Sequence, residues 1–143
     1  MHPVFNEIED MFLPELERLA SDLRKRHPDL QFNVWHGPVG SLTKYQGHDV
    51  AIECIFPWSQ AAVSDNVALN IGICQLTSTP KFMADVVWGH PSGHSEAAFR
   101  EGWHTSTEWP VVTQIALEEL RTYFPKLVQA FRLAIERGTP PED

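Results

Sequence analysis

The sequence predicts an α+β domain: an antiparallel sheet of about four strands, with an N-terminal and a C-terminal helix packed on one face. Three observations predict it. Segments of helical periodicity bracket the chain, period-two segments fill its middle, and the links between those are too short for the crossovers that parallel strands need. With 143 residues, 43% of them hydrophobic, the chain can bury one core without disulfides or structural metal, so a single domain over 1–143 is expected.

The first helix is expected over 3–27. Ile8, Met11, Phe12, Leu16, Leu19 and Leu23 recur at three- and four-residue spacings, while Glu9, Asp10, Glu17, Arg18 and Asp22 fall largely on the other side. Pro14 either kinks this helix or opens a second one, because it has no amide hydrogen to donate. His27-Pro28 ends the element, and Arg24-Lys25-Arg26 meets the negative end of the helix dipole.

The sheet is expected over about 30–88. Phe32 and Val34 alternate with Asn33 and Trp35, and Val50, Ile52, Cys54 and Phe56 with Ala51, Glu53 and Ile55. Val67, Leu69, Ile71 and Ile73 alternate with Ala68, Asn70, Gly72 and Cys74. A fourth strand spans Phe82 to Trp88. The links carry Gly37-Pro38-Val39-Gly40-Ser41, Pro57-Trp58-Ser59-Gln60 and Ser78-Thr79-Pro80, which suit turns. A loop region is assigned to 89–109 and a C-terminal helical segment to 110–137. In the latter Leu117, Leu120, Phe124, Leu127, Phe131 and Ala134 keep one helical phase until Gly138.

Charge and cysteine usage narrow the function. Nineteen acidic against eleven basic residues give a formal charge of −8, which repels phosphate and argues against nucleic-acid binding. Alternation points Cys54 and Cys74 to opposite sheet faces, so both are expected as free thiols. Without an apolar run of membrane-spanning length or a signal-like first segment, the expectation is a cytoplasmic protein that does not engage a membrane.

One sheet face carries Asn33, Trp35, Ala51, Glu53, Ile55, Ala68, Asn70, Gly72 and Cys74, a set short of charge for a solvated surface. An open face of this kind suits a protein partner or self-association into a homodimer, unless the Trp103–Trp109 segment or a helix folds over it. Trp35, Glu53, Asn70, Trp88 and Trp103 are therefore the candidate binding residues. With the acidic balance they suggest a small binding protein, immunity- or inhibitor-like towards a protein partner, in preference to an enzyme.

The alternative is a metal-dependent hydrolase. His90, His94 and His104, with Glu96 or Asp85, form a candidate zinc site in the loop region, because zinc accepts mixed imidazole and carboxylate ligands. Pro91 and Gly93 rule out one helical face for His90 and His94. His36, His48 and Asp49 meet at the end of the first hairpin and form a candidate acid–base group near Tyr45. Nucleophile and phosphate-loop signatures are absent: Ser92 and Ser95 lie outside any Gly-x-Ser-x-Gly, and the Gly37–Lys44 stretch lacks the Gly-Lys-Ser/Thr ending. A small-molecule pocket between helices and sheet is the third possibility.

Overall fold

The computed structural model describes residues 3–39, 47–57, 66–88, 102–103 and 111–138. Helix α1 spans Pro3–Arg26. Four strands follow, β1 (Gln31–Val39), β2 (Gly47–Ile55), β3 (Val67–Gln75) and β4 (Lys81–Trp88), then β5 (Gly102–Trp103) and β6 (Val111–Ile115), and the chain closes with α2 (Leu117–Arg137). The sheet order is β1-β2-β3-β4-β6-β5, with every neighbouring pair antiparallel. The α+β antiparallel architecture with both helices on one face is as the alternation and bracketing helices predict. No helix among the described residues is long and apolar enough to cross a membrane.

Each helix covers its own half of the sheet, α1 over β1 and β2 and α2 over β3, β4 and β6. The core between the layers joins Ile8, Phe12, Leu16 and Leu23 to Ile52, Leu69 and Ile71, and to Leu120, Leu127 and Phe131, all buried. These are the residues whose spacing matched the helical and strand periods. Cys54 belongs to the same core, and desolvation, with the Glu53 charge beside it, pushes its thiol up to about 12, so it behaves as an inert apolar side chain.

The helices run in the same direction, because Phe12 packs on Phe124 (ring centroids 5.3 Å apart) and Asp22 Oδ2 meets Arg132 a few turns on at 3.1 Å. Asp22 also faces Arg26 at 3.5 Å. Arg132 and Asp22 keep 30% and 43% of their side-chain surface in water, so Arg132→Ala is expected to cost under about 1 kcal/mol in chemical denaturation. A larger loss would show that the pair, and not the apolar interface, docks the helices. Pro14 and Pro125 lie inside continuous helices and withhold amide donors from the carbonyls of Asp10 and Arg121. Gly138 ends α2 at φ 73°, donating its N–H to the Ala134 carbonyl, a left-handed position that suits glycine.

The structure corrects two expectations. Residues 111–115 form β6 instead of the start of the helical segment, and β5 lies within the expected loop region. The β-branched pair Val111-Val112 pairs with Asp85 and Ala84, which occupies the free edge of β4. The sheet face away from the helices is also buried at its centre, where Ala51 and Ala68 are fully enclosed with Met83 and Asp85 beside them, while Asn33, Trp35, Glu53 and Ile55 on β1 and β2 keep part of their surface.

Candidate functional site

Two histidines and one glutamate meet where the start of α1 crosses the first hairpin. In the β1–β2 register His36 pairs with Val50 and Pro38 with His48, which sets His36 and His48 diagonally on the helix side of the sheet. The second turn of α1 brings Glu9 between them. Its Oε1 lies 2.7 Å from His36 Nδ1, and its Oε2 contacts His48 Nε2. One nitrogen from each ring and one carboxylate oxygen all lie within 4.8 Å of one another.

The three groups differ in solvent access. The His48 side chain is 5% exposed and stacks on Phe5, one helical turn before Glu9, with ring centroids 5.0 Å apart and planes 14° from parallel. This locks one imidazole and registers α1 against β2. The His36 side chain is 51% exposed, so the cluster opens to solvent on the β1 side. The cluster thus has a packed side at His48 and a solvent-facing side at His36.

Ligand chemistry fits the arrangement. Two imidazoles and a carboxylate form the donor set of catalytic zinc sites and of two-histidine, one-carboxylate iron sites, which keep coordination positions open. Around a tetrahedral ion such ligand atoms stand about 3.3 Å apart, so atoms within 4.8 Å of one another need to close by up to about 1.5 Å. The Glu9 carboxylate is placed to accept a hydrogen bond from each ring.

Sequence reasoning brought His36 and His48 together but paired them with Asp49. Side chains of successive residues alternate between faces, so Asp49 points to the opposite side of the sheet from His48. Glu9 stands in the place given to Asp49. Periodicity places it on the polar side of the helix, yet it lies four residues after the buried Phe5 and beside the buried Ile8, at the margin of the apolar stripe. Tyr45, and the proposed ligands His90, His94 and His104, lie outside the described residues.

The candidate binding residues do not form one surface. Trp35 and Glu53 are half-buried on the face away from the helices, where Asn33 Nδ2 donates to Glu53 Oε1 at 3.2 Å. Asn70 shares that face but is buried, contrary to the exposed role expected for it, and donates Nδ2 to Asp85 Oδ1 at 2.9 Å. Trp88 is on the helix side and stacks on Phe56 with centroids 5.7 Å apart. Trp103 is in β5, and its side chain lies outside the described part. Burial pushes the Asp85 carboxyl up to about 6 against the Asn70 hydrogen bond, and pushes Asp49 up to about 7 with the Asp85 charge adding to the rise. An open groove lined in part by Glu7, Asp10, Phe12 and Phe124 lies between α1 and α2, with no strand residue in its lining.

Comparison with protein-family models, with curated proteins and with solved structures finds no match to this chain. Any assignment of function rests on the geometry itself.

Proposed function

We propose that the protein binds a divalent transition-metal ion, zinc in the first instance, through Glu9, His36 and His48, and works as a metal-dependent enzyme of hydrolytic type. The observation that carries this reading is the convergence of three ligand atoms of a catalytic donor set within 4.8 Å, open to solvent on one side. An ion held there supplies Lewis acidity and lowers the pKa of a bound water towards neutrality. Of the chain's own groups, Phe5 orients His48 by stacking, and Glu9 must exchange its contacts with the two rings for the metal. Protons compete with a metal for ligands of this kind, so affinity falls as the solution is made acidic.

The test is titration of chelator-treated protein with zinc and with cobalt, whose visible absorption reports its ligand number. One equivalent is expected, and His36→Ala, a half-exposed position with little bearing on folding, is expected to weaken it by about tenfold or more. Glu9→Gln should act similarly. Binding that survives both variants sinks the proposal, and binding lost with His90→Ala alone moves the ion to the 89–109 region.

A protein-partner role is the second reading, favoured by the half-buried Trp35 on the edge strand β1 and by the acidic balance. It has the smaller support, because Asn70 and the centre of the face that recommended it are buried.

A further inference from the structure

The sheet face away from the helices holds a second polar cluster, separate from the histidines. Asp49 on β2, Asn70 on β3 and Asp85 on β4 come from three adjacent strands and are 2–3% exposed. In register Asn70 lies opposite Asp85, and Asp49 lies opposite Gly72, two residues further along β3. Asp49 leans over that glycine: a Cβ there would stand 2.1 Å from its Oδ1. The absent side chain makes the space that the carboxyl occupies.

The cluster is rich in acceptors and poor in donors. Asn70 Nδ2 is given to Asp85, while Asn70 Oδ1 and Asp49 Oδ2 are buried without any hydrogen-bond partner. Leaving a polar atom in that state costs about 1–3 kcal/mol, more for a charged one, so two such atoms in one cluster call for a ligand. No lysine, arginine or histidine among the described residues forms an ion pair with either carboxyl.

The geometry points to a binding site for a hard divalent cation, of the calcium or magnesium kind, held by the carboxylate oxygens of Asp49 and Asp85 and the amide oxygen of Asn70. Hard cations take this all-oxygen donor set, carboxylates with an asparagine carbonyl, and the remaining positions accept water or backbone carbonyls. With neither nitrogen nor sulfur in the cluster, nothing favours zinc over calcium here, which distinguishes it chemically from the Glu9–His36–His48 site on the other face. The ion also supplies the positive charge that two buried carboxylates lack. This site stands whether or not the histidines hold a metal.

Chelator-treated protein is titrated separately with calcium chloride and magnesium chloride by calorimetry, and its Tm is followed over the same additions. One ion per chain and a raised Tm are expected with at least one of the two salts. Asp85→Asn, which keeps the shape and still accepts from Asn70, should weaken binding at least about tenfold, since affinity follows ligand charge. Asp49→Asn carries the same expectation should Asp85→Asn fail to fold, and His36→Ala should leave binding unchanged. Absence of heat and of any Tm change with both salts at millimolar concentration overturns the site. Binding that survives both aspartate variants, or that disappears with His36→Ala, overturns it as well.

Discussion

Gly72→Ala is expected to destabilise the protein by about 2–3 kcal/mol, and adding Asp49→Ala to restore most of that loss. In a strand interior the same exchange would ordinarily stabilise, by about 0.5–1 kcal/mol, because glycine loses the most backbone freedom on folding. The close approach reverses the sign. A Cβ at position 72 meets Asp49 Oδ1 at 2.1 Å and Cγ at 3.0 Å, and the carboxyl it must displace is buried. With alanine at position 49 the obstacle is gone and the backbone benefit returns. Urea unfolding of the two single variants and the double variant measures the coupling. Strictly additive losses would show that Asp49 does not pack over Gly72.

Metal-free protein is expected to gain stability as the pH falls from 8 to 5, by on the order of 1–1.5 kcal/mol from Asp85 alone. The folded Asp85 carboxyl is raised from 3.8 to about 6, so folding favours its protonated form. That favourable contribution is complete below the unfolded value and disappears as the pH rises through about 6. Asp49, raised to about 7, acts in the same sense slightly higher. Asp85→Asn should flatten the profile, with the variant more stable than the parent at pH 8 and the difference vanishing at acidic pH. Denaturation in chelator across this window checks it, and a parent profile that falls towards pH 5, with no change in slope in the variant, contradicts it. Saturating calcium or magnesium should remove most of the dependence if the cation site is filled, because the ion stabilises the ionised carboxylates.

Much of the candidate centre could be read from the hairpin. Antiparallel pairing of β1 and β2 brings His36 and His48 to one end, and strict alternation, carried one residue further, removes Asp49 from the group. Glu9 was not legible in the same way. Its membership depends on which rim of α1 faces β1 and at what level, and that is set by Phe5 stacking on His48, a contact 43 residues apart in sequence. The buried carboxyls left a faint trace, since Asp49 lies between Gly37 and Gly72 on its neighbouring strands. Two glycines flanking an acidic residue mark room for a side chain, but the trace appears only once the register is known.

The sequence by itself determined the class of fold, the identity of the two helices and the first four strands, and the apolar residues that join them. These follow from local periodicity, because a helix or strand shows its buried stripe in its own residues. The tertiary structure alone decided that residues 111–115 complete the sheet, that the face bearing Asn70 is interior, and that Glu9 joins the two histidines. Each of those depends on what a surface meets across the fold. A short apolar run, a small-residue face and a glutamate at the edge of a stripe have no fixed meaning until their neighbours are in place.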